Sequence, residues 1–137
     1  MSLVFMLDTN TTSAAIRGDT AVGAKLAALS ADAWCISAVT VAEHHYGLAK
    51  RPEARTLARL VYSFLEMADV RSWDHLAAHA QGDLRATLAA LGTPLDTYDC
   101  MIAAHALSLG LVLVTDNVKH FKRVPGLSWE NWLRGGR

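Results

Sequence analysis

The chain has 137 residues, of which 52% are hydrophobic and 19% charged, with 13 Lys and Arg balancing 13 Asp and Glu. That balance excludes a disordered polymer and a globally basic coat for nucleic acid, so any polyanion must be held by a local patch. The length predicts a single domain over residues 1–137, with a core large enough to need no disulfide or structural metal.

Two cysteines, Cys35 and Cys100, lie far apart in apolar contexts, match no zinc spacing and read as buried thiols. The apolar runs fall short of the roughly 18 residues that span a bilayer, and no basic stretch precedes an apolar one at the start. A cytoplasmic protein with no membrane contact is expected.

The first element is Leu3-Val-Phe-Met-Leu7, an unbroken apolar run that ends in Asp8-Thr9-Asn10. A strand buried on both faces by helices has this continuous pattern, whereas a strand with one wet face alternates. Residues 11–17 fit a short helix stopped by Gly18, and the plainer alternative for Asp8 or Thr9 is that it simply caps this helix. Asp19 or Thr20 caps a second helix through Ala28, and Ser30-Ala-Asp32 is a turn. Trp34-Cys-Ile-Ser37 follows as a short buried strand, and Ser37 caps a helix over 39–50 that carries Glu43.

Pro52 suits the first turn of a helix running to about Met67, with Leu57, Leu60, Val61, Phe64 and Leu65 at helical spacing. Arg51, Arg55 and Arg59 repeat along its other side as a solvated face. Residues 69–73 form the weakest strand, with only Val70 and Trp73 strongly apolar. Asp74 caps a long helix ending near Gly92, where His75 and His79 lie one turn apart without a third metal ligand. A loop over 92–95 leads to a helix opened by Asp96 or Thr97 and closed by Gly110. It carries Asp99, an alanine-rich body suited to close packing on a sheet, and His105, read as a core histidine. Leu111-Val-Leu-Val-Thr115 is another apolar strand ending in polar residues, Asp116-Asn117. A helical turn over 118–121 and a short edge strand within 127–132 complete the chain before a loose Arg134-Gly-Gly-Arg137 tail.

Strands alternating with helices predict an α/β fold of three layers, α/β/α, around a mainly parallel sheet of four to five strands. In such a sheet the strand ends share one edge, where ligands sit. Asp8, Glu43, Asp99 and Asp116 all follow or flank these ends. Two carboxylates ~4 Å apart repel by about 4 kcal/mol at an effective dielectric near 20, so the group calls for a cation. Oxygen-only donors favour Mg²⁺ or Mn²⁺, which suit phosphodiester hydrolysis.

No phosphate-binding loop, dinucleotide fingerprint, zinc-protease motif or nucleophile elbow is present. Asp8-Thr-Asn10 resembles the start of an aspartate-nucleophile phosphatase, but that chemistry wants an acid where Asn10 stands. A catalytically silent interaction module is the remaining alternative.

Four motifs, in order, together resemble a PIN-domain ribonuclease of the VapC toxin type. They are Met6-Leu-Asp8-Thr-Asn10; Ile36 to Glu43 with Tyr46-Gly47; Tyr98-Asp99 through Ala106; and Leu113-Val-Thr-Asp-Asn117 through Leu127. The resemblance implies that Asp8, Glu43 and Asp99 are the main acids of a metal site, that Thr9 and Asn10 belong to the first motif, and that Thr115 opens the segment supplying a fourth ligand. Both Asp116 and Asn117 are available for that position. Successive side chains leaving a strand point to opposite faces, and only a carboxylate supplies charge, so Asp116 is the expected ligand and Asn117 a cap or an orienting group. The resemblance also implies an endoribonuclease toxin cutting transfer or ribosomal RNA, a homodimer, and an antitoxin that blocks the acidic pocket. Arg17, Lys119, Lys122 and Arg123 are candidate basic residues for the pocket rim.

Overall fold

A computed structural model describes residues 2–133; the expected tail at 134–137 lies outside the described residues. Five strands form one parallel sheet: β1 (Phe5–Leu7), β2 (Trp34–Ser37), β3 (Val70–Arg71), β4 (Val112–Val114) and β5 (Trp129–Glu130). Their order across the sheet is β3-β2-β1-β4-β5, with β1 in the centre.

The apolar runs are explained by what covers each face. Met6, Cys35 and Leu113 are paired neighbours across the three central strands and belong to one core cluster, with Leu84 and Leu88 of α5 (His75–Ala90) and Ile102 and Ala103 of α6 (Thr97–Leu109). The next residue along each strand, Leu7, Ile36 and Val114, belongs to the opposite cluster. There they meet Ala14 of α1 (Thr9–Ile16), Val22 of α2 (Thr20–Ala28) and Phe64 of α4 (Arg55–Met67). Both alternating sets are therefore buried, which gives the three layers expected. Ala103, Ala104 and Ala106 are fully buried, and their small side chains let α6 pack closely.

Helix starts follow the chain's own capping chemistry. Asp8, Asp19, Ser37 and Asp74 each accept a backbone N–H of the helix they precede, from Thr11, Val22, Val39 and Ala77 respectively. Gly110 takes the left-handed conformation, φ +68°, that ends α6 and turns the chain into β4.

Three boundaries differ from the expectation. Pro52 does not open α4. It occupies the second position of a β-turn closed by Ala54 N–H to Arg51 O at 3.0 Å, and the helix begins at Arg55 without a side-chain cap. On that helix Leu57 and Leu60 are exposed, so only Val61 and Phe64 of the expected stripe are buried. The weak strand shrinks to Val70–Arg71, an edge pair whose Val70 is exposed, and the last strand likewise holds only Trp129–Glu130. Two-residue edges leave little unpaired backbone to recruit another sheet.

The helix α3 (Ala38–Ala49), which follows β2, is fixed to the sheet through Ser37. Its hydroxyl caps α3 at 3.0 Å and lies 2.8 Å from Nδ1 of the buried His105, whose ring also packs edge-on against Trp73. Burial lowers the His105 pKa, so the ring is a neutral member of the core, as expected. Replacing Ser37 by Ala removes a cap and orphans a buried ring nitrogen. We expect a loss of about 2 to 3 kcal/mol, read as a lower urea midpoint with an unchanged slope.

Candidate active site

Because every strand runs the same way, the carboxyl ends of β1, β2 and β4 share one edge of the sheet, and the acids gather there. Asp8 stands one residue beyond β1. It is 4% exposed, its N–H donates to Val114 O at 3.0 Å, and its Oδ1 accepts the Thr11 N–H at 2.8 Å. Asp8 therefore does cap α1, yet the cap does not exhaust it. Burial raises its pKa, hydrogen bonds from Thr115 and Thr11 oppose the rise, and the charge of Asp116 adds to it.

Glu43 sits in the second turn of α3. Its Oε1 accepts the Thr9 hydroxyl at 2.5 Å, which ties α3 to the first residue of α1. Since that proton is committed, the 3.2 Å contact between the Thr9 and Thr40 hydroxyls is donated by Thr40. A parallel tie runs through Thr12, whose hydroxyl donates to Thr9 O at 2.8 Å and meets His44 Nε2 at 2.7 Å. With the Thr12 proton used, His44 Nε2 carries the hydrogen, and burial keeps the imidazole neutral by lowering its pKa.

Asp99 lies in the first turn of α6. Burial pushes its carboxyl up to about 6 from 3.8, with further increments from Asp96, Asp8 and Glu43. Asp116, one residue past Thr115, accepts from Asn131 Nδ2 at 2.8 Å. Asn117 is the N-cap residue of α7 (Val118–Phe121), but its side chain does not cap the helix as expected. Its N–H donates to the Thr115 hydroxyl at 2.9 Å, and its amide nitrogen lies 2.7 Å from His120 Nδ1. Asn10 is exposed and joins none of these hydrogen bonds among the described residues.

The electrostatic links thus run from Asp116 to Asp8, and from Asp8 and Glu43 to Asp99. Among the described residues no three His, Cys, Asp or Glu side chains stand together as a closed metal cage. An oxygen-only set of mutually repelling acids nevertheless fits a hard divalent cation, which keeps several waters and needs only one or two direct carboxylates.

Beside the acids a groove of about 530 Å³ runs between α1, α3 and α4. Thr9, Glu43 and His44 line it together with Arg17, Lys50 and Arg51. Of the expected rim cations only Arg17 lines this groove; Lys119, Lys122 and Arg123 belong to α7 and the turn after it. Sequence reasoning missed Thr40, Thr12 and His44. Thr40 lies one helical turn before Glu43 on the same face, which is a readable signal. The remote pairing of Thr12 with His44 has none. His75 and His79 carry no metal set; His79 pairs loosely with Asp83 at 3.8 Å on the exposed face of α5.

The chain matches the PIN domain over residues 5–127. The chain belongs to the PIN-domain family, and within it to the VapC ribonucleases. It is 40% identical to the tRNA(fMet)-specific endonuclease VapC of Salmonella typhimurium over 95% of this chain and 98% of that one. It is 35% identical to ribonuclease VapC2 of Haemophilus influenzae over 72% and 75% of the two chains. Among solved structures, DNA-bound VapBC from Salmonella typhimurium superposes with a TM-score of 0.89 at 40% identity, covering 95% of this chain and 98% of that one. VapBC2 from Rickettsia felis, bound to a promoter fragment, gives 0.88 at 30% identity over 95% and 99%.

The raised Asp99 pKa carries a sign that can be measured. The folded carboxyl binds its proton more tightly than the unfolded one, so its contribution to stability is full below pH 3.8 and is lost as pH rises through about 6. Asp99→Asn removes that loss. In chelator the variant should be more stable than wild type at pH 7 by about 1 to 2 kcal/mol, allowing for screening of a partly exposed group, with the gap closing near pH 4. The buried histidines are common to both proteins and cancel in the difference.

Proposed function

We propose that this protein is a divalent-metal-dependent endoribonuclease, the toxin of a VapBC-type pair, acting in the cytoplasm. The observation that carries the metal site is the gathering of Asp8, Glu43, Asp99 and Asp116 around the carboxyl edge of one parallel sheet, where burial raises the Asp8 and Asp99 carboxyls and neighbouring acids add to both rises. Asp8, Glu43, Asp99 and Asp116 are the metal ligands in this reading, and Mg²⁺ or Mn²⁺ the ion. Bound there, the ion supplies positive charge against the phosphodiester transition state and lowers the pKa of water.

The chain's own part is positioning. The α1 cap holds Asp8, the Thr9 and Thr40 hydroxyls hold Glu43, and the Thr115 hydroxyl steadies the ionised form of Asp8. Asn131, one residue past β5, orients Asp116. The VapC relatives act on RNA by their names, and the solved neighbours are VapBC complexes, so RNA, transfer or ribosomal, is the substrate and a cognate antitoxin the partner. A homodimer is part of the same reading. The phosphatase alternative gains nothing here, since Asn10 is exposed and cannot supply the missing acid.

Asp8→Asn keeps an equally good helix cap while removing the buried charge. With antitoxin-free protein and total RNA in Mg²⁺ or Mn²⁺, the variant should lose about a hundred-fold or more of its cleavage while retaining its fold by circular dichroism. Chelator should silence the wild type, and added Mn²⁺ should restore it. Full cleavage by Asp8→Asn, with lowered stability, would reduce Asp8 to a cap and end this assignment.

Asp116 and Asn117 separate by titration. Asp116→Ala should move the Mg²⁺ dependence of cleavage to about ten-fold higher concentration, whereas Asn117→Ala should shift it little. The opposite pattern would transfer the ligand role to the amide.

A further inference from the structure

Glu43 is the wall between two hollows of different character. On one side lies the groove with Arg17, Lys50 and Arg51, in which Glu43 is the only acidic lining residue among the described residues. On the other is a cleft of about 390 Å³ that Glu43 shares with Tyr46 and Tyr98, residues that are 63% and 49% exposed. Glu43 and Tyr46 on α3 and Lys50 at its C-cap follow one another at three and four residues, a rise of ~10 Å from the acid to the cation. The Lys50 Nζ, lining the groove, lies 4.7 Å from the centroid of the Tyr46 ring, which lines the cleft.

Gly47 lies between them. A glycine in mid-helix weakens the helix, and here a Cβ would meet nothing within 4 Å, so packing within the chain does not demand it. Its bare backbone lines the basic groove. What would profit from that bareness is a ligand approaching α3 closely.

From this juxtaposition we propose that single-stranded RNA crosses the site over Glu43, with a base stacked in the Tyr46–Tyr98 cleft and the adjoining phosphates in the Arg17–Lys50–Arg51 groove over Gly47. Exposed aromatic faces accept any base, and a groove in which three cations outnumber one acid favours a phosphate backbone. The proposal rests on the nuclease reading and adds to it how the strand is held. Tyr46, Lys50, Arg51 and Gly47 are binding residues in it, and the reaction itself stays with the acids.

The test uses the Asp8→Asn protein, free of antitoxin, and a labelled mixed-sequence RNA of about ten nucleotides, long enough to place a base in the cleft and phosphates in the groove at once. Tyr46→Ala should weaken binding about ten-fold, and Tyr46→Phe should restore it, because the ring and not the hydroxyl carries stacking. The pair Lys50→Ala, Arg51→Ala should reduce the slope of log affinity against log salt by about 1.4, two single-strand phosphate contacts. Gly47→Ala should raise the thermal midpoint while lowering affinity, opposite signs that a purely structural role would not give. If wild type cleaves RNA but these variants bind it unchanged, or Tyr46→Phe is as damaging as Tyr46→Ala, the strand path is wrong and the nuclease stands. Variants that loosen only the antitoxin would make this face a protein-docking surface and overturn the proposal. Wild type that neither binds nor cleaves RNA would remove the nuclease reading as well.

Discussion

Everything at this site depends on keeping several carboxylates at one edge of a buried sheet. Asp8 is the extreme case, 4% exposed and one residue beyond the central strand. A carboxylate in that position pays desolvation, and neighbouring acids make ionisation harder still. The fold offsets this locally, with an α1 N–H, the Thr115 hydroxyl and the positive end of a short helix all favouring the charged form. What remains unbalanced is a demand for positive charge, and the open side of the edge is where it can be met.

The hydroxyl network is the second consequence of that constraint. Thr9, Thr12 and Thr40 stand in the zone where α1 meets α3, and each is buried or half-buried with its hydrogen bonds satisfied inside the zone. Hydroxyls suit it because they can satisfy a carboxylate and a neighbouring carbonyl without adding charge. A lysine or arginine there would neutralise Glu43 outright and compete with a cation. His44 is kept neutral by burial, so it braces Thr12 without supplying a charge either.

Glu43 also organises what lies outside the acids. It borders both the basic groove and the tyrosine cleft, so a displacement of α3 would be felt by the acid set and by both surfaces together. Ser37 opposes such movement from beneath, coupling the start of α3 to His105 in α6, and Asp99 lies on that same α6. The arrangement of the acids is thus supported by the core clusters on both faces, through α1 on one and α6 on the other.

Much of this was legible in the chain because its local signals agree. Unbroken apolar runs ending in Asp8, Ser37 and Asp116 marked doubly covered parallel strands, and Asp19, Ser37, Asp74 and Gly110 marked helix ends through chemistry that acts within a few residues. Where the signal was a compromise, the reading slipped. Pro52 suits a first helical turn and the second position of a β-turn equally, and only the Ala54 to Arg51 bond decided between them. Leu57 and Leu60 have helical spacing but face outward, because burial depends on where neighbouring layers end. By itself the sequence determined the strands, their order of appearance and the residue types at their ends, since these follow from covalent neighbours and periodicity. The tertiary structure alone decided that Thr9 meets Glu43 across 34 positions, that Thr12 meets His44, and that Glu43 divides a basic groove from a tyrosine cleft. Such pairings depend on the angle at which two helices cross the sheet edge, and no local pattern encodes that angle.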